Sequence, residues 1–184
     1  MSFALSPSSV RTLLASLVAH ALWLVSTGIS AAESERAIPF TVSCADLVAP
    51  KNVEFSEESR WVNTEGLPRY CRVRGTIQGR TQFEMRLPAQ WNGRFLMAGC
   101  GGFCGSLIPD KPGHSNAINE ALKRGYAAIS HDGGHQAESW ETHWASDRDA
   151  LELWAHKVLP VVVDTGNELA TALYGSEPRY RYFS

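Results

Sequence analysis

Arg94-Phe95-Leu96-Met97-Ala98 empties directly into Gly99-Cys100-Gly101-Gly102-Phe103-Cys104-Gly105. Beyond Arg94, the first five residues show no polar alternation. A short apolar run of this kind fits a strand buried on both faces, as in a parallel sheet. In the segment that follows, Gly101 and Gly102 let the backbone turn sharply and leave amide hydrogens with no side chain in the way. No Gly-Lys-Ser/Thr comes after the loop, so it is not a phosphate cradle. Its bland alternative is a plain tight turn closed by a Cys100–Cys104 bridge.

Upstream, the pattern is different. Cys71, Val73, Gly75 and Ile77 alternate with Arg72, Arg74 and Thr76, the period of two expected of a strand with one wet face. Gly79-Arg80 turns the chain. Phe83, Met85 and Leu87 then alternate with Glu84 and Arg86, which predicts an antiparallel hairpin. Pro88 ends its second strand, and Trp91-Asn92-Gly93 is a turn. Residues 33–68 show little periodicity and read as extended segments and loops.

Downstream, a polar loop with Pro109, Pro112 and Gly113 leads to Ser115, placed to cap a helix over about residues 116–124. Its apolar face is Ala117, Ile118, Ala121 and Leu122, and Gly125 stops it. Residues 126–130 form another buried-type strand, ending in His131-Asp132-Gly133-Gly134-His135. Residues 136–149 are polar but carry Trp140 and Trp144, as a loop packing over something would. Helix starts near Asp149, with Pro160 in the first turn of a new segment. Val162, Val163, Leu169, Ala170 and Leu173 face the core, and Gly175 ends the helix. A last strand spans residues 179–183.

Hairpin, strand, helix, strand, helix, strand predicts an α/β architecture. The expectation is an open, mostly parallel sheet with an N-terminal antiparallel hairpin and helices on both faces. A final strand with nothing after it leaves an apolar sheet edge bare, which intact domains avoid. The C-terminus is therefore expected to be a truncation.

The N-terminus speaks to compartment. Arg11 precedes the apolar run from Leu13 to Val25, and small residues follow, with Ser30 and Ala32 at the −3 and −1 positions of a signal-peptidase site. The run falls short of the about 20 residues of a membrane span, and Ser16 and His20 interrupt it. Residues 1–32 are thus expected to be a signal peptide (the alternative is an uncleaved anchor), and the mature protein to be secreted or periplasmic. Cleavage leaves 152 residues with 16 Lys and Arg against 19 Asp and Glu, enough for one domain with a core. No basic patch stands out, which argues against nucleic acid as a partner. No later segment is apolar enough to cross a membrane.

All four cysteines lie after the signal, and oxidising compartments favour pairing them. Three connectivities are open. Cys44 with Cys71 is preferred, tying an N-terminal tail to the first clear strand. Cys100 and Cys104 either close a tight ring or pair outside the chain.

His131 and His135 are four apart, but Gly133-Gly134 breaks any helix through them and the Glu of His-Glu-x-x-His is missing. Metal ligation is not expected there. Instead, Asp132 and His135 are expected to hydrogen-bond the backbone of a loop at the carboxyl end of a strand, where open α/β sheets bind ligands. A full Ser-His-acid set cannot be assembled. No Gly-x-Ser-x-Gly occurs, and neither Ser106 nor Ser184 sits on a strand-to-helix elbow. The tryptophans at 61, 91, 140, 144 and 154 read as packing residues before ligand platforms.

Taken together, these segments resemble the tannase/feruloyl esterase family of α/β-hydrolases, which also includes mono(hydroxyethyl) terephthalate hydrolase. The motifs are Cys71-Arg72-Val73-Arg74-Gly75-Thr76-Ile77; Phe83 to Pro88 with Trp91-Asn92-Gly93-Arg94-Phe95; the loop from Gly99 to Gly105; Gly125-Tyr126-Ala127 leading to Asp132-Gly133-Gly134-His135; Leu173-Tyr174-Gly175; and Tyr182-Phe183. They cover roughly residues 44–184.

The resemblance implies a partial α/β-hydrolase core, cut before its nucleophile elbow, with the lid and C-terminal half absent. It implies a secreted carboxylic ester hydrolase acting on aromatic, galloyl- or feruloyl-like esters through a serine acyl-enzyme. Gly102, with Gly101 beside it, matches the oxyanion-hole glycine, and Cys44 with Cys71 matches a family disulfide. The nucleophile, its histidine, its acid and a lid calcium site are implied to lie outside this chain, which alone is expected to be inactive. Cys100 and Cys104 depart from the small residues usual in that loop. The alternative is a secreted, disulfide-stapled binding module without catalysis.

Overall fold

The computed structural model describes residues 37–115 and 117–184. The signal-peptide expectation falls on residues 1–32, outside the described residues. Among the described residues, seven strands form one sheet: β1 (Val53–Phe55), β2 (Arg60–Val62), β3 (Tyr70–Ile77), β4 (Thr81–Pro88), β5 (Arg94–Ala98), β6 (Ala127–His131) and β7 (Tyr180–Phe183). Their order is β1-β3-β4-β6-β5-β7, and β2 also pairs with β3.

β3 and β4 make the expected hairpin, with Val73 opposite Met85. β4 then pairs antiparallel with β6, Met85 opposite Ile129. β5 lies parallel to both β6 and β7, with Met97 opposite Ile129 on one side and Phe183 on the other.

The expectation of a mostly parallel sheet needs correction, because four of the six strand pairings are antiparallel. Two causes account for this. The hairpin joins the sheet through the antiparallel β4–β6 seam. The stretch read as extended segments and loops also supplies β1 and β2, both antiparallel to β3. Each is only three residues long, too short to display a period of two.

Helices cover both faces. Phe95, Met97, Ala127 and Ile129 pack on one side against Val162, Leu169, Ala170 and Leu173 of α3 (Val158–Tyr174). Each large side chain fully buried here contributes about 1.5–3 kcal/mol. The alternate residues Leu96, Ala98 and Ala128 meet Ile118 and Ala121 at α1 (Asn119–Lys123) on the other side.

α1 starts later than expected. Ile118, not Ser115, is its N-cap, because the Ile118 amide is held by the Pro109 carbonyl in the preceding loop. A short helix α2 (Arg148–Glu152), capped by the Asp147 side chain, continues through a π-turn (Leu153–Lys157) into α3. Pro160 sits in the first turn of α3, and Gly175 closes it in the left-handed conformation.

The α1 face also buries charge. Glu84 is fully enclosed, accepting from Arg86 at 2.6 Å and Arg74 at 2.5 Å, and Arg86 reaches Asp110 at 2.9 Å. Arg86 also donates to the Asn119 side chain. Burial alone would weaken the Arg86 charge, but Glu84 beside it holds the guanidinium above its ordinary pKa. Removing one partner of such a buried pair strands the other charge. The network thereby pins the 105–118 loop and α1 onto β4.

Candidate functional site

β5, β6 and β7 run parallel, so their carboxyl ends share one edge of the sheet. Loop 99–105 leaves β5 there, residues 132–139 leave β6 on one side of it, and Ser184 follows β7 on the other. The Gly99 amide donates to the Ser184 carbonyl at 2.8 Å, and the Ser184 amide to the Met97 carbonyl at 3.2 Å.

The two loops are joined along their length. The Gly105 amide donates to the Asp132 carbonyl at 2.7 Å, and the Ala137 amide to the Gly105 carbonyl at 3.1 Å. The Phe103 amide donates to the Ser139 carbonyl at 2.8 Å. This closeness demands glycine. A Cβ at Gly105 would stand 2.2 Å from the Ala137 carbonyl oxygen, and one at Gly102 would stand 2.5 Å from that of Ser139. Both glycines also have positive φ, +96° and +59°.

The structure pairs Cys44 with Cys71 and Cys100 with Cys104. The second bridge closes the tight ring within the glycine loop. Gly101 and Gly102 lie exposed at its tip, and no described residue accepts a hydrogen bond from either amide.

Asp132 is buried. Its Oδ1 accepts from the Gly134 amide at 2.9 Å and from the Gln82 amide of β4 at 3.1 Å, and its Oδ2 accepts from the Gln136 side chain. Burial raises its carboxyl to about 6, against the pull of these donors. The expectation that Asp132 bonds loop backbone matches this geometry.

For His135 the same expectation needs correction. Neither of its ring nitrogens has a hydrogen-bond partner among the described residues. Its ring stacks on Trp144 at 3.7 Å instead, because the tryptophan-bearing loop folds back over it. Burial lowers its pKa, and the nearby Phe103 carbonyl favours the proton without meeting hydrogen-bond geometry. His131 is also enclosed. Its Nδ1 accepts from the Gly133 amide at 3.1 Å, its Nε2 has no described partner, and burial drives its pKa down to about 4. Neither histidine therefore has the serine and carboxylate partners of a catalytic base.

Phe103 meets Trp144 and Trp154 edge-on at 6.5 and 6.0 Å, whereas Trp140 is 72% exposed. Sequence reasoning missed Gly105, Ala137 and Ser139 as partners, because nothing local marks a backbone contact made across 30 residues. It also passed over Phe103.

Residues 67–184 match the family model described as tannase and feruloyl esterase. The chain belongs to the tannase and feruloyl esterase family. Among its relatives, an uncharacterised esterase of Xanthomonas campestris pv. campestris is 30% identical over 125 residues, 65% of this chain and 21% of that protein. Mono(2-hydroxyethyl) terephthalate hydrolase of Piscinibacter sakaiensis is 36% identical over 107 residues, 49% of this chain and 18% of that one. The chain thus spans about a fifth of the length of the curated relatives it matches.

The crystal structure of feruloyl esterase B from Aspergillus oryzae superposes with a TM-score of 0.58 at 21% identity, covering 76% of this chain and 30% of that one. This shows a shared fold of the α/β-hydrolase type. Among the described residues, no group of three or more His, Cys, Asp and Glu is placed to hold a metal ion.

Proposed function

We propose that residues 37–184 form the oxyanion-stabilising side of a secreted serine carboxylesterase that acts on small aromatic esters of the galloyl or feruloyl type. The observation that carries this is the tip of the glycine loop. Two unpaired amides stand exposed in the loop that leaves β5 at the carboxyl edge of the parallel strands, and Gly99 at the start of that loop is bonded to Ser184 at the end of β7. An amide free of internal partners can donate to the oxygen that turns negative when an ester carbonyl is attacked. In this reading the attacking serine follows β7, so the oxyanion forms between it and Gly102. A histidine takes the serine proton and returns it to the leaving alcohol, and water then releases the acid from the acyl-enzyme. Serine, histidine and acid are expected outside these residues, and the 184-residue chain alone is expected to be inactive.

The test is hydrolysis of a chromogenic aryl ester by a chain extended through the segment encoded after Ser184. A serine-directed inhibitor should abolish turnover, and Gly102→Ala, whose Cβ would stand 2.5 Å from the Ser139 carbonyl oxygen and so push the amide out of line, should lower kcat by up to about 100- to 1,000-fold, the loss seen when such a donor is removed. Turnover that persists in Gly102→Ala and resists the inhibitor would overturn the proposal.

A further inference from the structure

We infer that Asp132 is a positioning residue for the glycine loop: its buried carboxylate fixes the 132–139 strap on which loop 99–105 is hung. This deepens the function proposed above and rests on it only for the loop's chemical purpose.

The strap has few fixed points. It makes no regular secondary structure between the end of β6 and the turn at His143–Ser146. Asp132 ties it at both ends of a tight bend, through the Gly134 amide and the Gln136 side chain, and anchors the bend to β4 through the Gln82 amide. The backbone of the same residues carries the glycine loop. The Asp132 carbonyl takes the Gly105 amide, and the Ala137 amide returns to Gly105. Ser139, two residues on, takes the Phe103 amide.

The carboxylate is engaged by the Gln82 and Gly134 amides and the Gln136 side chain, all donors that hold the bend in place. What it sets is where the strap lies. An oxyanion donor displaced by a fraction of an ångström loses much of its value, because the benefit depends on dipoles already aimed.

Amide hydrogen exchange of the 184-residue chain tests this without any turnover. In Asp132→Ala, exchange at Phe103 and Gly105 should rise about tenfold or more, as when an ordinary hydrogen bond is lost, while amides of β3 and β4 keep their protection. Asp132→Asn keeps an Oδ1 acceptor for both amides and should restore protection. If Asp132→Ala does not fold, Gln136→Ala, which removes the bond to Oδ2 together with a 3.3 Å bond to the Arg80 carbonyl but leaves both Oδ1 bonds, should raise exchange at the same two amides to a lesser degree.

Unchanged exchange at 103 and 105, or an equal rise throughout the chain, overturns the inference. In an extended chain that hydrolyses esters, Asp132→Ala should lower kcat with KM kept, and Asp132→Asn should recover it. Loop loosening in a chain whose extended form has no esterase activity would leave the positioning role standing and sink the proposed function instead.

Discussion

The two loops at the carboxyl edge are built on opposite plans. Loop 99–105 is exposed, glycine-rich and closed on itself by Cys100–Cys104, and it leaves two amides without partners. Strap 132–144 buries a carboxylate, two ring nitrogens of His135 and the indole of Trp144, and it spends its carbonyls on the other loop. One presents hydrogen-bond donors to solvent, and the other holds the first in place. Groups placed for chemistry need a support that does not move, and the cost of burying polar atoms falls on that support.

The comparison breaks most readily at Trp144. Its ring stacks on His135, lies edge-on to Phe103, and is anchored by its Nε1 donating to the Glu141 carbonyl at 2.8 Å. Trp144→Ala should cost about 3–5 kcal/mol, the range for deleting a buried aromatic. Trp140, four residues away and largely exposed, should change stability by no more than about 0.5 kcal/mol when cut to Ala. Urea unfolding of both variants checks this, and equal losses would mean that the strap is not seated as described.

How far this division was legible in the sequence differs between the loops. Arg94 to Ala98 announced its strand because so short an apolar run, bounded by Gly93 and Gly99, is too brief for a buried helix. Gly101-Gly102 announced an open backbone. The hairpin was equally plain in the alternation from Cys71 to Leu87. β1 and β2 were not, since they exist only through pairing with β3, which no three-residue window encodes. The antiparallel β4–β6 seam was hidden for the same reason: parallel and antiparallel pairing depend on where the chain returns. His135 reads as a polar group seeking a partner, and only tertiary packing reveals that it found an indole face. Asp132 was legible as a backbone binder because Asp-Gly-Gly is turn chemistry.

The second prediction concerns charge inside the strap. Asp132 has its carboxyl raised from 3.8 to about 6 by burial. The folded state therefore binds the extra proton between those values, and its stability rises as pH falls through that window. Adjacent His131 is displaced the other way, from 6.5 to about 4, again by burial. There the unfolded state binds the extra proton, so stability falls as pH drops from 6.5 towards 4. Each displacement is worth about 3 kcal/mol at about 1.4 kcal/mol per pH unit, and the two oppose one another. Asp132→Asn should add up to about 3 kcal/mol at neutral pH and expose the uncompensated His131 slope, so that the variant loses stability on acidification more steeply than the parent. Urea midpoints across this range check both signs. A variant less stable than the parent at neutral pH would mean that the charged carboxylate is itself a stabilising group, not one kept at a cost.

The smallest effect is expected where the sequence is most conspicuous. Cys100 and Cys104 are only four residues apart, so their bridge removes little freedom from the unfolded chain, about 2 kcal/mol on loop-closure grounds. Cys44 and Cys71 enclose a much longer segment, and opening that bridge should cost more. Replacing Cys100 and Cys104 together by serine leaves the Phe103–Ser139 and Gly105–Asp132 hydrogen bonds in place. Exchange at those two amides should then rise far less than in Asp132→Ala. If the double serine variant loosened them more, the ring would be what holds the glycine loop, and the strap would be its passenger.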